Sequence, residues 1–189
     1  ESIYENGRLG NRHHISHLQL IHPDDFGRFA ELDVVANFQP LWAYKDIYID
    51  DLTAPFLGEE RMKLMYPIKS IQEAGGMIAF GSDWFVSTPN PFPQMETAVT
   101  RQGATGILKE PLLIEESIDL ESAIDAFTIN AAFVNNLEKE TGSIEVGKYA
   151  DLVVLDQNLF EIEVYDISET KALLTLFEGR VVHGNVEEL

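Results

Sequence analysis

The sequence predicts an α/β chain assembled from parallel strand–helix units, followed by a small all-β segment. Two observations lead there. Short apolar runs at Val34–Phe38 and Met77–Gly81 alternate with stretches that carry apolar residues at helical spacing. These runs are apolar but for Asn37, as strands buried on both faces by crossover helices largely are. A third observation sets the ending: after residue 140 the helical spacing stops and strand-length runs succeed one another at Leu152–Leu155, Leu173–Phe177 and Arg180–His183.

Taken in order, residues 1–12 are polar, glycine-rich and without period, and read as the tail of something that began earlier. His13 to Leu20 forms a short strand and its exit. Pro23-Asp24-Asp25 opens a helix, since proline suits a first turn and acids suit its positive end. Phe26, Phe29, Ala30 and Leu32 give that helix an apolar face. The strand Val34–Phe38 ends at Gln39-Pro40, and a long loop, Leu41 to Gly58, follows with Trp42, Tyr44, Tyr48 and Phe56. Arg61 to Ala74 reads as a helix kinked at Pro67 and stopped by Gly75-Gly76.

The strand Met77–Gly81 then delivers Ser82 and Asp83 into a loop that runs through Trp84 to the proline-rich stretch ending at Pro93. Helices are expected from Gln94 to Thr100, from Leu120 to Thr128 and over residues 131–138. A boundary falls near residue 140, dividing the chain into residues 1–140 and 141–189. The second part has too few strands to be stable without something to pack on. The Glu178-Gly179 pair is the turn between its last two strands.

Composition narrows the function classes. At 189 residues, 45% of them apolar, the chain can bury a sizeable core. A net charge of −19 with only 13 Lys and Arg excludes a phosphate-tracking basic stripe, so no nucleic-acid partner is expected. The acids are dispersed, as on a solvated surface. No apolar run approaches the roughly 20 residues of a membrane span, so no membrane partner is expected. Without cysteine there are no disulfides and no thiolate metal sites; cytoplasm is the expected compartment. The chain begins at Glu1 with no leader-like segment, so any processing is expected to have already taken place.

Three segments together resemble the amidohydrolase superfamily, specifically its YtcJ-like branch, which includes N-substituted formamide deformylases. They are Arg12-His13-His14-Ile15-Ser16-His17-Leu18-Gln19 with Pro23-Asp24-Asp25; Ala74 to Asp83 with Asn90-Pro91 and Ala98-Val99-Thr100-Arg101; and Thr128 to Ala132 leading into Gly142–Asp156 and Glu178 to Val182. The resemblance implies a metal-dependent (β/α)8 TIM barrel carrying a small β-sandwich built from both ends of the full chain. Residues 1–140 would be the C-terminal part of the barrel, with His13–His17 as its sixth strand, Val34–Phe38 its seventh and Met77–Gly81 its eighth. Residues 141–189 would be the C-terminal half of the sandwich.

The first-strand His-x-His pair, the fifth-strand His and the bridging carboxylated Lys or acid of that superfamily are missing here. A closed barrel needs roughly 250 residues. The resemblance therefore covers the C-terminal portion alone, expected to be inactive by itself and completed by the N-terminal part of the barrel or by an oligomer partner.

The reaction implied is attack of water on an amide-type C–N bond of a small-molecule substrate, with a divalent metal, zinc, as cofactor. Asp83, at a strand end, would bind the metal and act as base; its ordinary role there would be a turn or cap. His17 would be a ligand or would donate to the developing oxyanion. Both belong to strand ends read as neighbouring. His13 shares the face of His17 one step deeper, whereas His14 points away, His22 sits in a loop and His183 lies in the sandwich. Trp42 and Trp84, with Tyr44, either line a substrate pocket or cover the barrel mouth. Arg101 either meets a substrate carboxylate or pairs with a local acid. Two further readings remain: a non-catalytic module from a split or degenerate barrel, and a hydrolase for a cyclic amide, carbamate or deaminase substrate.

Overall fold

A computed structural model describes Glu5, residues 10–104 and residues 110–188. Most of the polar tail read over residues 1–12 lies outside the described residues.

Strands β1 (His14–Ser16), β2 (Val35–Phe38) and β3 (Ile78–Phe80) form one parallel sheet in the order β1-β2-β3. Ser16 pairs with Asn37, and Phe38 with Phe80, so all three strands end at the same edge. Val35, Ala36 and Phe38 of the central strand are buried, as are all three residues of β3, and Ala36 and Phe38 share one apolar cluster with Phe29 of helix α1 (Phe26–Glu31), Ile68 and Ile71 of α5 (Ile68–Glu73) and Met95 of α6 (Pro91–Thr100). This is the strand–helix alternation expected of parallel units.

Several element boundaries differ from the sequence reading, each for a local reason. The first strand is only three residues long, because His17 (φ 76°) and Leu18 (φ 49°) turn left-handed directly after Ser16. The helix expected over Arg61–Ala74 is broken rather than kinked. It consists of α4 (Glu59–Met62) and α5, with Tyr66 at φ 47° and Pro67 between them, since proline cannot continue the ladder of the preceding turn.

The long loop after β2 is folded into short helical pieces: a 3-10 turn at Pro40–Trp42, then α2 (Ile47–Asp50) and α3 (Ala54–Leu57). Asp46 caps α2 by accepting from Ile49 N at 2.9 Å. Helix α6 begins at Pro91 instead of Gln94, because Asn90 accepts from Phe92 N and proline is tolerated in a first turn. Helices α7 (Leu120–Phe127, capped by Asp119) and α8 (Ile129–Val134) close the α/β part. Asn130 Nδ2 donates to Ile78 O at 3.0 Å, tying α8 to β3.

Strands β4 (Leu152–Leu155), β5 (Ala172–Phe177) and β6 (Arg180–His183) form an antiparallel sheet. The β5–β6 turn has Glu178 at φ 51° and Gly179 at φ 76°, the paired positive values of a tight hairpin. A 3-10 segment, Val164–Glu169, fastens this sheet to α6: Ser168 N donates to the buried Glu96 carboxylate at 2.7 Å. Ile167 and Leu159 join the same apolar cluster as Phe38, Ile71 and Phe80. The segment between β4 and β5 makes this attachment, whereas β6 and half of β4 remain exposed.

Candidate active site

The sequence singled out strand ends, and the sheet brings them to one edge. His17 N donates to Asn37 O at 3.0 Å, and Gly81 N to Phe38 O at 3.1 Å, so the segments carrying His17 and Asp83 both leave the C-terminal edge. This is where parallel α/β proteins keep their chemistry. The two residues do not come from neighbouring strands. They belong to β1 and β3, and β2 lies between them, which sets their backbones about 10 Å apart, twice the strand spacing.

Both positions carry a conformational cost. Asp83 has φ 51° and His17 φ 76°, in the left-handed region that non-glycine residues rarely adopt. Both are exposed. Left-handed backbone at exposed, chemically capable residues clusters at functional sites.

A polar lane crosses the gap. Asn37 Nδ2 donates to Ser16 Oγ at 3.5 Å, and Gln39 Nε2 donates to Asn37 Oδ1 at 3.4 Å. A Cβ added to Gly81 would lie 3.8 Å from Asn37 Oδ1 and 4.0 Å from Gln39 Nε2, so the lane reaches β3. Gln39 is buried, and its Oε1 has no donor among the described residues. Sequence reasoning passed over Asn37 and Gln39. The signal was present: two amides two positions apart, one within and one just after an otherwise apolar strand, share a face.

Trp42 is half-buried and stacks on His17, with ring centroids 5.3 Å apart and planes 7° from parallel. Its indole N–H donates to Ser87 Oγ at 2.7 Å, joining the loops after β2 and β3. Trp42 also lines a cavity of about 690 Å3 together with Tyr44, Tyr48 and Tyr66. Trp84 does not line it; that ring is 60% exposed and lies against Phe85, at 4.0 Å between centroids.

Arg101 stands apart from the strand ends, against the expectation of a substrate contact. Its side chain is fully buried, donating from Nε to Leu112 O at 2.8 Å, from Nη1 to Tyr66 O at 3.3 Å and from Nη2 to Met65 O at 3.4 Å. Desolvation lowers its pKa to about 10, and the charges of Glu116, Tyr66 and Glu115 oppose that shift. The guanidinium is a tie between chain segments that leave the α-helical ladder, with three of its five donors on carbonyls.

The remaining histidines divide as follows. His13 and His14 are exposed, His22 Nδ1 accepts from Asp24 N at 3.3 Å, and His183 lies on β6. As metal donors, an imidazole and a carboxylate are chemically suited to zinc. The described residues contain no group of three His, Cys, Asp or Glu able to hold a metal ion, whereas a catalytic zinc takes three protein ligands. The donor types fit a metal; their number does not complete a site. Among the described residues no helix is long and apolar enough to cross a membrane.

Residues 3–183 match the amidohydrolase family. The chain is 33% identical over 181 residues to protein LONG AFTER FAR-RED 3 of Arabidopsis thaliana, covering 94% of this chain and 30% of that protein. It is 34% identical over 121 residues to the N-substituted formamide deformylase of Arthrobacter pascens, covering 64% and 22%. The putative amidohydrolase YtcJ of Bacillus subtilis is 25% identical over 175 residues, covering 92% and 32%.

Among solved structures, an uncharacterized metal-dependent hydrolase from Pyrococcus horikoshii superposes with a TM-score of 0.70 at 24% identity, over 86% of this chain and 32% of that one. The chain thus spans between about a fifth and a third of the length of these relatives. With a parallel sheet, reactive side chains at its C-terminal edge, and a family match that runs through nearly every element, the chain belongs to the amidohydrolase family and resembles its YtcJ-like members.

Proposed function

We propose that this chain is the C-terminal portion of a metal-dependent hydrolase that cleaves a non-peptide, amide-type C–N bond of a small molecule. In that reading residues 1–140 contribute barrel strands six to eight and residues 141–189 half of a β-sandwich. His17 and Asp83 would hold two positions of a divalent ion, zinc by its donor types, and the remaining donors would come from outside this chain. When bound, such an ion lowers the pKa of coordinated water towards about 7.

The chain's own residues then have separate tasks. Asp83, exposed at its strand end, accepts the proton of the attacking water and can return it to the departing nitrogen. His17, held flat against Trp42, is kept in one orientation for a ligand or an oxyanion contact. Asn37 lines the gap between them, so its amide can orient the substrate's amide, and the buried Gln39 positions Asn37 by donating to its Oδ1. Trp42 and Trp84 would meet the substrate's apolar part.

The observation that carries this reading is the departure of His17 and Asp83, both with positive φ, from one edge of one parallel sheet. The test is turnover by the complete protein on formamides, N-acyl amino acids and cyclic amides, with and without a chelator. Asp83→Asn is expected to lower kcat/KM by at least about 10^3, and residues 1–189 alone are expected to be inactive. No turnover by the complete protein on any of these substrates would favour a non-catalytic binding module instead, and metal-independent turnover, or a variant as active as the parent, would overturn the metal-site reading.

A further inference from the structure

The cavity beside Trp42 is lined by four aromatic rings, Trp42, Tyr44, Tyr48 and Tyr66, and by one charged group, Asp46. Its walls come from the segments that follow all three parallel strands: Gln19 after β1, Leu41 to Thr53 after β2, and Val86 and Ser87 after β3. Backbone bonds hold the first wall to the deep one, since Tyr66 N donates to Gln19 O at 2.9 Å. The indole of Trp42 stacks on His17 and is also part of the lining, so the cavity opens directly beside the strand ends.

Asp46 is half-buried. One carboxylate oxygen, Oδ1, accepts from Ile49 N; the other enters no hydrogen bond or ion pair among the described residues. Its neighbour Lys45 is engaged elsewhere, with Nζ 2.7 Å from Glu110. Burial first, and the Asp46 charge second, raise the pKa of Tyr44 and of Tyr66, the latter to about 12. The negative charge of Asp46 is thus felt by both phenols; the Arg101 charge opposes it at Tyr66 from behind the wall, and no cation is among the lining residues.

Aromatic rings with one carboxylate form a setting that attracts a positive charge, through ring quadrupoles and Coulomb attraction together. We infer that this cavity receives the substrate's nitrogen substituent and selects one bearing a cationic group, an ammonium or a protonated amine, held among Trp42, Tyr44, Tyr48 and Tyr66 beside Asp46. The inference rests on the hydrolase reading above, in which bond cleavage occurs at the adjacent strand ends.

The test uses the complete protein, stripped of metal so that no turnover intervenes, and titrates choline against its neutral isostere 3,3-dimethyl-1-butanol by calorimetry. Choline is expected to bind about tenfold more tightly. Asp46→Asn should bring the two within about threefold of each other. Its melting temperature should be unchanged, because asparagine caps α2 as well as aspartate does. Asp83→Asn should keep the preference while losing hydrolysis.

Equal binding of the two probes, a preference that survives Asp46→Asn, or no saturation by choline at about 50 mM would each overturn the inference. If the preference holds but Asp83→Asn stays fully active, the cavity stands and the catalytic reading falls.

Discussion

Replacing Arg101 by methionine separates a structural tie from a substrate contact. Methionine fills a comparable apolar volume but donates nothing. Leu112 O and Met65 O would lose the donors that reach them at 2.8 and 3.4 Å, whereas Tyr66 O retains the amide of Ile68 at 2.8 Å. Each buried carbonyl left unsatisfied costs about 1–3 kcal/mol, so two cost about 2–6 kcal/mol. Removing a desolvated charge returns part of this, leaving about 3 kcal/mol. For a chain of this size that lowers Tm by roughly 6–12 °C. Arg101→Lys should fall between, since a single ammonium cannot reach three carbonyls in a fixed fork. Thermal unfolding followed by near-ultraviolet dichroism reads the effect. A methionine variant that melts within about 2 °C of the parent, yet shows a raised KM in the complete protein, would refute the structural assignment and restore Arg101 as a substrate contact.

Three further outcomes are expected. Burial raises the pKa of Glu96 above its ordinary 4.5, against the hydrogen bond from Ser168, so the folded state holds this proton to higher pH than the unfolded chain. The parent therefore loses stability as pH rises from about 4.5 through the folded value. Glu96→Gln, which still accepts from Ser168 N, should gain stability over the parent across that window, measured as the difference in Tm against pH. Gly142→Ala should destabilise by about 1–3 kcal/mol: the new Cβ would sit 2.7 Å from Ala132 Cβ, at φ +90°. Denaturant titration would show it. Gln39→Leu removes a buried acceptor that has no donor, so it should melt no lower than the parent while turnover falls about 10-fold or more. An unchanged rate would remove Gln39 from the site.

The parallel strand–helix order could be read from apolar runs because most of β2 and all of β3 are buried, and burial on both faces leaves a nearly continuous apolar signature, broken only at Asn37. The break between α4 and α5 was only half legible. Pro67 announced an interruption, but the left-handed turn at Tyr66 that makes it a true break has no residue-type signature, since tyrosine rarely adopts it. The turns at His17 and Asp83 were not foreseen either: histidine and aspartate enter the left-handed region more readily than most side chains, but most of them do not, so residue type alone does not mark these two. The three carbonyls around Arg101 were not foreseen, because a lone arginine beside a helix end looks available and only the return of Leu112 and the break at Tyr66 bring them together. The order of strands also mattered. The resemblance already implied Val34–Phe38 as the strand between those of His17 and Asp83, which the reading of the two strand ends as neighbouring ignored; its two amides in the gap were passed over.

The proposed chemistry requires one ion shared by His17 and Asp83 across β2. The most direct measurement is anomalous scattering at the zinc edge from crystals of the complete protein. The expected result is a single peak about 2.0–2.2 Å from a ring nitrogen of His17 and from a carboxylate oxygen of Asp83. A peak coordinated by neither residue, or by only one with the other turned to solvent, would contradict it.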